Sequence, residues 1–311
     1  MSKDGMVTVR VPASTANLGP GFDSIGMALS LYLTVEAEKS ETWEVIPMTQ
    51  ELAVFPKDEQ HFIVKMAMRT AKQYGKEMPP CRLTVSSEIP LTRGLGSSAA
   101  AIIAGIELAD YFCNLQLSKQ EKLEISAEIE GHPDNVGASI YGGFVVGSQL
   151  GDEIDLTVLS AVEMDVVAII PEEELLTESA REVLPGYLPF AQAVEASAVS
   201  NQLIAALLTR NWALAGKMMN RDRFHEPYRR KLIPWWEEVE ALAAEAGAFG
   251  TALSGAGPTI LCLVEPEKGK ALAASLEASL PSMRVVELEI DLVGSQVTVE
   301  MANTTKKKST I

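Results

Sequence analysis

The sequence predicts an α+β fold that mixes antiparallel and crossover connections. Three observations carry that expectation. Runs of β-branched and apolar residues recur at strand length, as in MVTVRVP (6–12), CRLTVSSEI (81–89) and MDVVAIIP (164–171). Segments with apolar residues at helical spacing lie between them, and no internal repeat orders the two kinds into a solenoid or propeller. The chain is 311 residues long and 47% apolar, which suits two domains or one large core.

Residues 6–12 and 31–38 (LYLTVEAE) read as strands, and the turn formers of ASTANLGPGFDSIGMAL between them read as a long loop. Phe62, Met66, Ala67, Ala71 and Tyr74 share one helical face over 61–74. After the strand 81–89 comes a glycine-rich loop, then helices over about 97–113 and 118–130, the second opening with Ser118 and Glu121 at capping-box spacing. GHPDN (131–135) makes a second loop before a short helix, and GGFVVGSQL (142–150) reads as a strand. The segment 164–171 is almost continuously apolar, as a central strand is. Helical stretches follow near 174–183, 190–209 and 211–220, and WWEEVEALAAEAG (235–247) is a helix closed by its last glycine. TILCLVE (259–265) and MRVVELEI (283–290) are strands flanking a helix near 267–280. The polar segment from Gly294 to Ile311, with three lysines near its end, is expected to be mobile.

Composition narrows the function. With 42 acidic against 26 basic side chains the formal charge is -16, which repels polyanions and argues against a nucleic-acid partner. No apolar run is long enough to cross a bilayer and no cleavable signal pattern opens the chain, so a cytoplasmic protein without a membrane partner is expected. Cys81, Cys113 and Cys262 stand far apart among apolar neighbours and read as buried small hydrophobes. His61, His132 and His225 have no zinc-site spacing.

Gly94, Leu95, Gly96, Ser97 and Ser98 sit between a strand and a helix, where backbone N–H groups and the helix dipole favour an anion. The serine hydroxyls can cap the helix, donate to phosphate or ligate magnesium, and Arg93 adds a charge beside the loop. No G-x-x-x-x-G-K-[ST] occurs, and a second helix follows where a dinucleotide fold needs a second parallel strand. PASTANLGPGFDSIGMAL (12–29) and LSGAGPTILCLVE (253–265) are further glycine-rich stretches, of the kind that lets a backbone pass close to a ligand or another loop.

In this order, residues 12–29, the stretch PLTRGLGSSAA (90–100) and SGAGPT (254–259) resemble the three motifs of the GHMP kinase superfamily, and the resemblance spans residues 6 to about 293. Within it, ASTANLGPGFDSIGMAL, EGHPDNVGASIYGG (130–143), and TESAR (177–181) followed by EPYRRKLIP (226–234) resemble the homoserine kinase family. The resemblance implies the GHMP kinase fold: a ribosomal S5 domain 2-like, ATP-binding N-terminal domain (1–160) and a ferredoxin-like C-terminal domain (161–293), with the tail 294–311 beyond. It implies transfer of the γ-phosphoryl of ATP, with Mg2+, to the side-chain hydroxyl of the small molecule L-homoserine, on the route to threonine. Members are often homodimers, though nothing in these residues demands it.

Carried over residue by residue, the resemblance assigns ATP to Pro90, Leu91, Thr92, Arg93, Gly94, Leu95, Gly96, Ser97, Ser98, Ala99 and Ala100. The metal falls to Ser98 and Glu130, with Glu124 and Glu128 as alternatives. The acceptor falls to Asn17, Asp23, His132, Asn135, Thr177, Arg181, Arg229 and Gly255. Asp23 suits an ammonium or could accept from the hydroxyl, and paired guanidinium donors suit a carboxylate. Asn135 stands where mevalonate kinases have an aspartate, and an amide is not a general base. Asp134 and His132 are the neighbouring titratable candidates. The expectation is that Asn135 orients the hydroxyl, whose proton leaves to phosphate or solvent during a loose transfer. SGAGPT is expected to pack its backbone against the first two loops.

Overall fold

The computed structural model describes residues 5–301. Strands β1 (Gly5–Asn17) and β2 (Gly21–Lys39) form a long antiparallel hairpin, with register shifts at Pro12/Ala13 and Ala16/Asn17. This corrects the expectation of a long loop between short strands. Ala13, Ser14, Thr15 and Ala16 are small enough to be buried while staying in the ladder, and the turn formers gather at residues 18–20 and at the bulges.

The chain continues through β3 (Glu44–Pro47), α1 (Phe62–Gln73) and β4 (Cys81–Ser87), then α2 (Ser97–Cys113), α3 (Lys119–Glu130), α4 (Asp134–Tyr141), β5 (Phe144–Leu150) and β6 (Glu153–Leu159). Ser118 and Glu121 close the capping box of α3. The second sheet takes β7 (Asp165–Ile170), β8 (Gly250–Leu253), β9 (Ile260–Val264) and β10 (Arg284–Leu288). Between β7 and β8 lie α5 (Thr177–Glu182), α6 (Phe190–Leu208), α7 (Trp212–Met219), α8 (Glu226–Arg229) and α9 (Trp236–Glu245), and α10 (Gly269–Ser279) joins β9 to β10. The last strand, β11 (Gln296–Met301), returns to the first sheet.

The first sheet has the order β11-β1-β2-β4-β3, and the β5–β6 hairpin pairs with β2 at 25–27. The second has the order β10-β7-β9-β8 with every pair antiparallel, which is the strand arrangement of a ferredoxin-like split βαβ unit. Helix α2 packs on β1 with Ala99, Ala100, Ile103 and Ala104 buried, and this seats its N-terminus beside the β1–β2 turn.

The mobile tail expected from residue 294 is corrected over 296–301. QVTVEM is rich in β-branched residues and pairs with β1 from Arg10↔Gln296 to Gly5↔Met301, covering that edge. The rest of the expected tail, 302–311, lies outside the described residues. Cys81 and Cys262 are buried as expected, and Cys113 is only half-buried. Among the described residues no helix is long and apolar enough to cross a membrane.

Candidate active site

The three glycine-rich stretches meet through their backbones. Gly96 opens α2 with φ 71°, and a Cβ there would lie 2.2 Å from Ser14 Oγ. Gly94 has φ 77°, and a Cβ there would lie 2.1 Å from the Ser254 carbonyl oxygen. These are contacts only glycine permits. Ser14 N–H donates to Leu95 O (3.2 Å), Gly255 N–H to Ala16 O (3.1 Å) and Ser254 Oγ to Gly94 O (2.6 Å). The SGAGP turn therefore packs against both other loops.

Where they meet is a cavity of about 140 Å³. Its wall holds Thr92, Gly94, Gly96, Ser97, Ser98 and Glu130 together with Asn17, Asp23, His132, Asn135, Thr177, Arg181, Arg229 and Gly255. Asp134 and Ala256 also line it. Ser98 Oγ donates to Glu130 Oε2 (3.3 Å), whereas Glu124 takes Gln120 Nε2 and Glu128 pairs with Arg69 on the surface. Of the three glutamates only Glu130 faces the loop.

Asp23 and Arg181 form a bidentate pair at 2.9 and 3.2 Å. Asn17 braces both sides of the cavity, with Oδ1 accepting Asp23 N–H (2.9 Å) and Nδ2 donating to Gly255 O (2.9 Å). Arg229 is 2% exposed; its Nε donates to Ala180 O and its Nη1 to Gly255 O. Burial, and then the charge of Arg181, lower its pKa to about 10, so it stays cationic at neutral pH.

Asp134 is 1% exposed, and its Oδ1 accepts from Asn135 N–H (2.7 Å) and lies 2.5 Å from His132 Nδ1. Asp134 Oδ2 is buried without a protein partner. Asn135 Oδ1 accepts from Ser14 Oγ (3.0 Å), which leaves its amide nitrogen as the side-chain donor. Burial lowers the His132 pKa, but the Asp134 hydrogen bond and charge, with Asp23 and Glu130, outweigh it and the net shift is upward. Glu130 is also shifted upward, chiefly by burial, against the pull of His132 and Ser98.

Several side chains of the expected ATP loop face away from the polar cavity. Leu95, Ala99 and Ala100 are buried in the core, and Ala100 N–H donates to Gly96 O in the first helical turn. Pro90 and Arg93 line a separate cavity. Arg93 donates to the carbonyls of Pro171, Leu91 and Glu172, tying the loop to the segment after β7 instead of charging the first cavity. What sequence reasoning missed is an adjoining apolar cleft of about 310 Å³, walled by Leu52, Phe55, Phe62, Ile89, Leu91 and Ala101. It shares Thr92, Ser97 and Ser98 with the polar cavity. Residues 50–61 carry no helical or strand periodicity that could have announced it.

A helix start whose N–H groups suit an anion, set between an apolar cleft and a charged cavity on this two-sheet fold, is the arrangement a small-molecule kinase requires. The family described as GHMP kinases N terminal domain matches residues 61–143, and that described as GHMP kinases C terminal matches 203–282. A homoserine kinase of Bacillus velezensis is 49% identical over 292 residues, covering 94% of each chain. The crystal structure of homoserine kinase from Cytophaga hutchinsonii is 29% identical with TM-score 0.83, covering 96% of this chain and 98% of that one. A mevalonate kinase structure, 19% identical with TM-score 0.68 over 91% of this chain and 99% of that one, shares the fold. The chain belongs to the GHMP kinases and, within them, to the homoserine kinase family.

Proposed function

We propose that the protein transfers the γ-phosphoryl of ATP to the side-chain hydroxyl of L-homoserine, giving O-phospho-L-homoserine on the route to threonine. The observation that carries this reading is one cavity lined by the N-terminus of α2, by Asp23, and by Arg181 and Arg229. A zwitterion suits the last three: Asp23 takes the ammonium, and the guanidinium groups take the carboxylate. Arg229, already lowered by burial and by its neighbour's charge, is stabilised by an anion. Mevalonate offers a carboxylate but no ammonium for Asp23, whose one cationic partner among the described residues would remain Arg181.

The apolar cleft beside Ser97 and Ser98 supports nucleobase binding, with the triphosphate leading to the free N–H groups of α2. Ser98 and Glu130 suit a magnesium ion: a hydroxyl and a carboxylate that already touch, and a burial-raised carboxyl that a cation would keep ionised. When bound, magnesium neutralises charge on the phosphates. Asn135, held by Ser14 and by the Asp134 carboxylate, presents its amide N–H to orient the acceptor oxygen. A loose transition state asks little activation of the nucleophile, so the proton passes to phosphate or solvent as transfer proceeds.

The test is ADP release with ATP and magnesium, comparing L-homoserine with D-homoserine, L-serine, mevalonate, shikimate and galactose. Turnover concentrated on L-homoserine is expected. ATP binding without turnover on any acceptor would instead mark a non-catalytic binding protein on the same fold.

A further inference from the structure

We propose that His225 is a positioning residue whose Nδ1 aims the Arg229 guanidinium at the acceptor cavity, in a tautomer set by the carbonyl of Gly19. The inference rests on reading Arg229 as a carboxylate-binding group.

The His225 ring is 0% exposed and both its nitrogens are engaged. Nε2 lies 2.9 Å from Gly19 O, and Nδ1 lies 3.3 Å from Arg229 Nη1. A carbonyl only accepts and a guanidinium only donates, so the two partners demand the same tautomer. Nε2 carries the proton and gives it to Gly19 O, while bare Nδ1 accepts from Arg229. Burial lowers the ring pKa to about 4, with Asp222 pulling upward and Arg229 pushing downward, so the neutral ring this geometry needs is the form present at neutral pH.

Hydrogen-bond arithmetic on Arg229 shows what this achieves. A guanidinium has five N–H groups. Nε gives its hydrogen to Ala180 O, and Nη1 gives its pair to Gly255 O and His225 Nδ1. Among the described residues that leaves Nη2, whose two hydrogens are available to a bound anion. Phe22 stacks on His225 (5.3 Å between ring centres, 21° between planes) and lies 5.3 Å from the Arg229 guanidinium carbon, so the imidazole and the arginine share an apolar floor. Gly19 lies in the turn between Asn17 and Asp23, and the same ring thus reaches from the acceptor loop to the arginine.

The two nitrogens can be separated by substitution. His225→Gln keeps a donor near Nε2 for Gly19 and loses the acceptor for Arg229; His225→Asn keeps an acceptor near Nδ1 and loses the Gly19 bond. In steady-state assays, His225→Gln is expected to raise KM for L-homoserine about tenfold, with KM for ATP within about twofold, and His225→Asn is expected to recover most of that loss. Equal KM rises in both variants, or a lowered melting temperature with unchanged KM, would overturn the inference. Arg229→Gln runs alongside: if it leaves KM unchanged, the carboxylate reading fails and takes this inference with it. If only Arg229→Gln raises KM, this inference alone fails. Should a variant not fold, histidine 15N spectra of the wild-type protein decide, since a proton on Nδ1 of His225 at about pH 7 contradicts the geometry.

Discussion

At the scale of single residues, the proposed function gives the handling of the acceptor hydroxyl to the HPDN stretch. Asp134 uses one oxygen to hold His132 and the Asn135 backbone, and Asn135 takes the Ser14 hydroxyl on its own oxygen. An amide so oriented can donate and cannot remove a proton. Asn135→Ala is therefore expected to lower kcat about tenfold to a hundredfold while His132→Gln retains most of it, both proteins folded by circular dichroism. Full rate in Asn135→Ala, with Asp134→Asn or His132→Gln inactive, would make the Asp134–His132 pair the base. That Asn135 stands where mevalonate kinases have an aspartate was legible in the sequence. The partnership of Asp23 with Arg181 was not, because the two stand 158 residues apart and an arginine on a helix carries no mark of what it faces.

At the scale of elements, legibility followed periodicity. Helices α1 and α3 announced themselves by apolar spacing and a capping box, and β7 by its almost continuous apolar run. The β1–β2 hairpin did not, since its buried serine, threonine and alanine residues have the composition of a turn and become strand through pairing. Helix α8, of four residues, is shorter than any periodic window and is held by its ends. Asp222 accepts the N–H groups of Phe224, His225 and Glu226, while Glu226 accepts Leu253 N–H from β8 and a donor from Arg230. Burial pushes the Glu226 carboxyl from 4.5 up to about 7, against the pull of Arg230. Between those values the folded chain holds a proton that the unfolded chain has released. The contribution of this group to stability is thus present below about pH 4.5 and lost as pH rises through about 7. Glu226→Gln lacks that titration, and its stability relative to wild type is expected to improve by about 3 kcal/mol across that window in urea unfolding. A difference that stays constant with pH would mean that Arg230 and Leu253 hold the carboxylate ionised.

At the scale of the whole molecule, the site exists because the two sheets are locked together at their glycine turns. Gly94 belongs to the loop of the first sheet, and the Ser254 and Gly257 carbonyls that a Cβ would strike, at 2.1 and 2.9 Å, belong to the second. Gly75 supplies a control with similar backbone strain: its φ is 66° against 77°, and nothing lies within 4 Å of its missing Cβ. Gly75→Ala pays only for the left-handed backbone, about 1 kcal/mol, with kcat unchanged. Gly94→Ala meets the same strain and a rigid backbone as well, which it can escape only by opening the junction that carries Gly96, Gly255 and Asn17. It is expected to lose more stability than Gly75→Ala and at least about tenfold in kcat, read by urea unfolding and by turnover on the same preparations. If the two alanine variants matched in stability and kept wild-type turnover, the loops would have room to separate without disturbing the cavity. The close backbone contact would then be a packing detail, and the alignment of phosphate donor with acceptor would have to come from the Arg93 tether and the Asp23–Arg181 pair alone.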